Sequence, residues 1–373
     1  MNVDSSVLKR YSEGAGEKQE NLCCPVEYDT RLLEQLPQEI VDKDYGCGDP
    51  SRYVREGDTV LDLGSGSGKI CYIAAQLVGN KGRVIGVDMN NDMLALARKY
   101  QREMAEKIGS DRVTFHKGHI QDLALNMDSV ETYLSENPIN SVDALTSFQT
   151  RKENQRRENP LIPDNSVDLV ISNCVLNLVQ DSDKEQMVRE IFRVLKPGGR
   201  IAISDIVSDE PIPAHLKQDP DLWSGCISGA LEENAFLQAF ADSGFTGSCY
   251  ANWVEEPWQV VENIEFRSVT VTAVKPSASE AIDRGHAVIY RGPFSEIKAD
   301  NGQIFPRGER MAVSEADFHL LTSSTYQNSF IELSPAKLIA PKPYTLAPGT
   351  RRSPTETKNS VKTESQSGSC CCG

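Results

Sequence analysis

Asp62-Leu63-Gly64-Ser65-Gly66-Ser67-Gly68 decides how the rest of the sequence is read. A β-branched run at 59–63 enters this loop and an apolar-periodic stretch at 69–78 leaves it, so the heptapeptide lies where a strand passes into a helix. Three glycines give a tight turn and let a ligand approach the backbone closely. Twenty residues after Gly68, Asp88 ends a second strand, 83–88, in Val84-Ile85-Gly86-Val87-Asp88-Met89, where a carboxylate can accept both ribose hydroxyls. A glycine turn alone would serve helix packing equally well. Strand, turn, helix and acidic strand end together point to a nucleoside.

Outward from the loop, a helix is expected at 92–107 and a third strand at 113–116. Strands follow at 167–173 and 200–207, with a helix at 184–195 between them that exits through Lys196-Pro197-Gly198-Gly199. Strands at 248–254 and 268–275 complete the sheet. The alternation predicts an α/β fold, a doubly wound Rossmann-like sheet with helices on both faces. Helical text at 213–245 reads as a substrate-binding insertion, and the polar stretch 128–160, with Asn137-Pro138 and Asn159-Pro160, as an insertion or lid beside the site. Short strand candidates at 287–290, 303–305 and 310–313 predict a small β-containing C-terminal domain.

The expected plan is therefore a disordered N-terminus (1–20), a segment carrying Cys47 (21–56), a nucleoside-binding domain (57–212), a substrate region with the last strands (213–275), a C-terminal domain (276–340) and a disordered tail ending in cysteines (341–373). At 373 residues the chain is long enough for two or three domains of roughly 100 to 200 residues. A formal charge of −15 argues against nucleic acid or an anionic membrane as partner. No apolar run reaches the length of about 18 residues that a membrane helix needs, and the polar, acidic start is unlike a signal peptide, so a cytoplasmic protein is expected. Ten cysteines are too few to staple a secreted chain of this size; in a reducing compartment they mean core, ligation or catalysis.

Dinucleotides and S-adenosylmethionine both fit such a loop. The tight Gly-x-Gly-x-Gly spacing favours the latter, since a pyrophosphate on the helix N-terminus asks for wider spacing. Asp62, just before the loop, suits a methionine ammonium and would repel a pyrophosphate. From the loop, Asp88, Gly118-His119-Ile120-Gln121-Asp122 and Ser172-Asn173-Cys174-Val175, residues 57–207 resemble the class I S-adenosylmethionine-dependent methyltransferases. That resemblance implies cofactor contacts from Asp62, Gly64, Ser65, Gly66, Gly68, Asp88, Met89, His119, Ile120 and Asn173.

Longer strings narrow it. Cys71-Tyr72 after the loop, Ile171-Ser172-Asn173-Cys174-Val175-Leu176-Asn177-Leu178, and Leu222-Trp223-Ser224-Gly225-Cys226-Ile227-Ser228-Gly229-Ala230 are similar to those of the arsenite methyltransferases. So are Asp44-Tyr45-Gly46-Cys47-Gly48, Tyr290-Arg291-Gly292-Pro293-Phe294 and Arg307-Gly308-Glu309-Arg310, which extend the likeness over most of 25–320. The resemblance implies methyl transfer from S-adenosylmethionine to arsenite, or to its glutathione conjugate, in arsenic detoxification. Trivalent arsenic is thiophilic, so Cys174 and Cys226 are expected to hold it, with Cys71 or a glutathione as third sulfur. Arsenic is then the nucleophile and no general base is required. For Cys71, the helix N-terminus would lower the thiol pKa. For Cys47 the resemblance implies capture of arsenite or disulfide exchange with Cys71, reset by glutathione or thioredoxin, in a chain acting as a monomer.

Cys23, Cys24 and Cys249 match no site cysteine, while Cys370, Cys371 and Cys372 are candidates for collecting thiophilic ions or for lipidation. Two other readings compete. One is a methyltransferase of a small organic molecule; Asn173-Cys174-Val175-Leu176 lacks the Asn-Pro-Pro-aromatic pattern of amide or exocyclic nitrogen methylators. The other is a thiol-rich arsenic- or metal-binding protein with a dead cofactor fold, against which the intact loop, Asp62 and Asp88 speak.

Overall fold

Strand β1 (Thr59–Leu63) is buried along nearly its whole length, as a central parallel strand covered on both faces must be. It pairs in parallel with β2 (Arg83–Asp88) and β4 (Val167–Asn173); β3 (Val113–Lys117) lies outside β2, and β5 (Leu195–Ser208) outside β4. Beyond a short parallel strand β6 (Leu231–Glu232) on β5, the chain returns as β7 (Thr246–Trp253), β8 (Gln259–Val261) and β9 (Ile264–Val274), the last antiparallel to β5. The order β3-β2-β1-β4-β5-β9-β7 reverses direction between β1 and β4. A crevice opens at the carboxyl ends of that pair, where α/β sheets bind ligands. Leu63 lies opposite Ser172, so the glycine loop and the Asn173-Cys174 turn leave the sheet side by side. The computed structural model describes residues 3–16, 26–43, 45–277, 281–326 and 328–357.

Helices α1 (Val3–Gly16), α2 (Thr30–Leu33) and α3 (Gln38–Asp42) precede the sheet. One core packs α4 (Lys69–Leu77), α5 (Asn91–Lys99) and α6 (Gln101–Ile108) on the sheet through residues such as Tyr72, Ile73, Leu94 and Met104. Another gathers Met187 and Ile191 of α9 (Asp181–Val194) with Phe236 and Phe240 of α11 (Glu233–Asp242). The single helix expected at 92–107 is two, because Tyr100 tightens the chain by bonding its N–H to Ala97 while its hydroxyl reaches Glu39. The polar stretch after β3 is also helical. Asn126 caps α7 (Met127–Glu136) and Ser141 caps α8 (Val142–Glu158), a helix with no buried residue and hence no apolar stripe to read.

The chain divides into two compact units, Met1–Lys275 and Pro276–Gly373. In the second, β11 (Ala287–Tyr290) lies between β14 (Arg310–Ala312) and β15 (Phe330–Leu333), with α12 (Glu315–Leu321) contributing Phe318 and Leu321 to a small core. Both expectations of disorder at the ends need correction. Residues 341–357 are ordered onto this unit: β16 (Lys342–Pro343) pairs with β10 (Ile282–Asp283), Arg352 forms an ion pair with Asp283, and Thr357 is buried. These are backbone and ionic contacts, which hydropathy does not register. Cys370 to Cys372 lie outside the described residues, as do Cys23 and Cys24.

At the N-terminus, α1 replaces the expected disorder over residues 3–16. Its few apolar residues cannot stabilise it alone, and tertiary partners do so. Arg10 donates to the Asp221 carbonyl (2.8 Å) and Ser224 Oγ (2.9 Å), both in α10 (Pro220–Ser224); Asn90 Nδ2 donates to Ser12 Oγ (3.1 Å) and Tyr45 to the Gly14 carbonyl (2.9 Å). Among the described residues no helix is long and apolar enough to cross a membrane.

Candidate functional site

The glycine loop forms the floor of a cavity at the β1/β4 crevice. Gly64 has φ +70°, and a Cβ there would come within 2.5 Å of the Val175 side chain. Gly66 has φ +51° and a Cβ that would meet no protein atom within 4 Å. The first glycine is required by packing and the second by backbone conformation, in a loop open to a guest. Gly66 N–H and Asn90 N–H each donate to the Asp88 carboxylate at 2.8 Å, fixing it in the wall. Desolvation there pushes its carboxyl up, against the opposing pull of the N–H groups of Asn90, Gly66 and Met89. Ser65 Oγ lines the same cavity, buried and without a hydrogen-bond partner among the described residues. An orphaned hydroxyl, an oriented carboxylate and a glycine floor fit a nucleoside.

Asp62, Gly64, Ser65, Gly66, Asp88, Met89, Ile120 and Asn173, eight of the ten residues expected to contact the cofactor, all line this cavity. Two expected residues do not. Gly68 (φ +85°) caps α4, where a Cβ would collide with Phe115, so its role is packing. His119 pairs through its backbone with Asp122, and Asp122 is itself held by Arg156 of α8 (2.7 Å). Val7, Leu8 and Tyr11 of α1 complete the wall. Replacing Asp88 by Ala is expected to weaken S-adenosylmethionine binding about 10- to 150-fold, the loss of a charge-assisted hydrogen bond worth roughly 1.5 to 3 kcal/mol. Titration calorimetry checks this; parent affinity would remove the ribose assignment.

Cys174 follows β4 with φ +58°, and Cys226 follows α10 with φ +63°. Among the described residues, the other positive-φ positions besides glycine are three asparagines and one glutamate, all exposed (Asn165, Asn263, Asn328, Glu262), so two buried cysteines in this conformation stand apart. Backbone held in this region marks positions that the surroundings over-determine, often for function. The Cys226 thiol donates to the Cys174 carbonyl (3.4 Å), and Tyr11 Oη lies 4.0 Å from Cys226 Sγ. Burial, then the neighbouring Cys226, pushes the Tyr11 hydroxyl up.

The third sulfur here is Cys47, bonded to Cys174 in a disulfide. Asn173 brings it in: its Oδ1 accepts from Cys47 N–H (2.9 Å) and Gly48 N–H (3.1 Å), and its Nδ2 donates to the Gly48 carbonyl (2.8 Å). A Cβ at Gly46 would lie 2.2 Å from Asn173, and one at Gly48 2.5 Å from Ser204, so the Gly-Cys-Gly text is what permits the approach. Asp205, in the middle of the buried half of β5, has a carboxylate oxygen within 4.8 Å of both disulfide sulfurs. It accepts from the N–H groups of Leu176 (2.9 Å) and Ile206 (2.8 Å), and burial raises its pKa to about 6. Sequence reasoning passed over it, although one charge inside Ile201-Ala202-Ile203-Ser204-Asp205-Ile206-Val207 was the signal.

Cys71 is the main correction. It is fully buried in the core beneath α4, with its thiol donating to Asp62 (3.2 Å), whereas Cys47, Cys174 and Cys226 share a separate apolar cluster with Trp223. Burial, reinforced by Asp62, pushes the Cys71 thiol up, overriding the lowering expected from the helix N-terminus. The structure brings Cys71 neither to Cys174 and Cys226 nor into a disulfide with Cys47. Cys249 is a free, half-exposed thiol on β7.

Comparisons with known proteins bear on the family and the fold. A family model described as a methyltransferase domain matches residues 55–159 and 147–244, and one described as a domain of unknown function matches 277–362. An arsenite methyltransferase of Aquipseudomonas alcaligenes is 33% identical over 295 residues, 74% of each chain. The Mus musculus arsenite methyltransferase is 31% identical over 363 residues, 92% of this chain and 85% of the mouse protein. Among solved structures, an arsenic(III) S-adenosylmethionine methyltransferase from Chlamydomonas reinhardtii aligns with a TM-score of 0.57 at 28% identity, covering 86% of this chain and 99% of its own.

Proposed function

The chain belongs to the arsenite methyltransferase family, and we propose that it holds trivalent arsenic between Cys174 and Cys226, with Cys47 as the third thiol. It is an S-adenosylmethionine-dependent enzyme that methylates arsenic. One observation carries the site assignment: two buried cysteines in left-handed backbone meet at the end of β4, beside the cavity and within reach of a third sulfur.

With the disulfide reduced, three thiols exchange for the three hydroxyls of arsenite; each new As–S bond releases one water, whose proton comes from the thiol. Three soft sulfurs are the ligands that such a centre prefers. The arsenic lone pair is left free, so no side chain has to remove a proton for methyl transfer. When bound, S-adenosylmethionine supplies a methyl carbon activated by its sulfonium sulfur. The chain's own residues orient the partners. Asp62 would hold the methionine ammonium and Asp88 the ribose hydroxyls, while Val175, Leu178 and Val179 line the cavity next to Cys174. Alignment of this kind is where most of the rate advantage of a two-substrate transfer arises.

Methyl transfer from labelled S-adenosylmethionine, with arsenite or a panel of small organic acceptors in the presence of glutathione and thioredoxin, tests the reading. Label is expected in methylated arsenicals alone. An active organic acceptor beside inert arsenite would overturn it.

A further inference from the structure

Between the two left-handed cysteines lies Asn177, in a single 3-10 turn (Leu176–Leu178) and almost wholly buried. Its backbone N–H and that of Leu176 donate to one oxygen of Asp205, at 3.3 and 2.9 Å. Its side-chain Nδ2 donates to the Ile206 carbonyl (2.7 Å) and across to the Cys226 carbonyl (3.3 Å). Its own carbonyl packs so closely on the chain after Cys226 that a Cβ at Gly229 would sit 1.9 Å from it. The residue is therefore three positions from one thiol by covalent chain and one hydrogen bond from the backbone of the other. Asp205, anchored in β5, holds it from below.

Resting on the assignment of arsenic to Cys174 and Cys226, we propose that Asn177 is a positioning residue which, locked by Asp205, sets the spacing of the two thiols and so makes them a bidentate receptor for trivalent arsenic. Neither Asn177 nor Asp205 lines the cofactor cavity. Loosening the clamp leaves both sulfurs present and the cofactor floor intact, but removes their fixed spacing. Misplacement of reacting groups by about 1 Å costs on the order of 100-fold, so a large effect is available from a residue that touches no substrate.

The test uses the full-length reduced protein in which Cys23, Cys24, Cys47, Cys370, Cys371 and Cys372 are serine, so that Cys174 and Cys226 are the pair left at the end of β4; on this parent, phenylarsine oxide, which needs two thiols at one spacing, is set against iodoacetamide, which needs only one. In this parent Asn177→Ala is expected to weaken phenylarsine oxide binding about 10- to 100-fold, and in the chain with its cysteines restored to raise KM for arsenite in parallel. Affinity for S-adenosylmethionine and alkylation of each thiol should stay at or above parent values. Asp205→Asn, which keeps one oxygen for the two N–H groups, should give a smaller loss of the same kind. A folded Asn177→Ala protein with parent phenylarsine oxide affinity overturns the proposal. Should that variant lose cofactor binding as well, Asp205→Asn decides: an arsenical-specific loss supports the clamp and parent behaviour overturns it. Cys226→Ser serves as the control for the underlying assignment, since parent-like phenylarsine oxide binding there would mean that the arsenic site is elsewhere.

Discussion

Cys174→Ser and Cys226→Ser are each expected to abolish methylation of both arsenite and monomethylated trivalent arsenic, with S-adenosylmethionine affinity unchanged within about twofold. The substitution exchanges a soft, polarisable sulfur for a hard oxygen that stays protonated at neutral pH, and trivalent arsenic binds the two very differently. Shape changes little. Both positions keep the same backbone demand at positive φ, and both are enclosed by the cluster around Trp223, so the fold is not the variable under test. Cys47→Ser should differ. A monomethyl arsenic has one bond fewer to give to sulfur, so two thiols suffice for it; this variant should lose the first methylation and keep the second. Chromatographic separation of labelled products distinguishes mono- from dimethylated arsenic. Retention of either step in Cys174→Ser would mean that the sulfur at the end of β4 is not the one that carries the substrate.

Much of this site was open to reading because its parts are local in sequence. The loop 62–68, the acid at Asp88 and the turn at Asn173-Cys174 each belong to one strand end, and parallel strand order places strand ends together. What depended on the third dimension was not readable. Cys71 lies three residues from the glycine loop in sequence, yet the helix that carries it turns its thiol into the core. Cys47 lies 127 residues from Cys174, and only the Asn173 amide and the two flanking glycines reveal why they meet. Helix α1 presents Val7, Leu8 and Tyr11 on one side, too short an apolar pattern to stand out from a polar terminus. The ordered segment 341–357 is held by strand pairing and an Arg352–Asp283 ion pair, interactions that composition does not encode.

The disulfide leads to the second large effect. While Cys47 and Cys174 are joined, neither can bind arsenic, so enzyme isolated without reductant is expected to show no turnover, and a dithiol such as reduced thioredoxin should restore it fully. The electron count sets where the reductant acts. Forming an As–C bond with the arsenic lone pair raises arsenic by two oxidation units; returning it to the trivalent state takes two electrons, which Cys47 and Cys174 can supply by closing their disulfide. Added reduced thioredoxin is expected to reopen it by exchange, its own dithiol becoming the disulfide. A single turnover by pre-reduced enzyme should therefore run at the same rate with or without thioredoxin, while multiple turnovers should stop after about one equivalent of product in its absence. Peptide mapping of the stopped enzyme should find Cys47 linked to Cys174, with Cys71 still a free thiol that alkylates only after unfolding. Cys71 found in the disulfide instead would show that the thiol buried under α4 reaches the site during the cycle, and that the exchange runs through Asp62 and the cofactor floor.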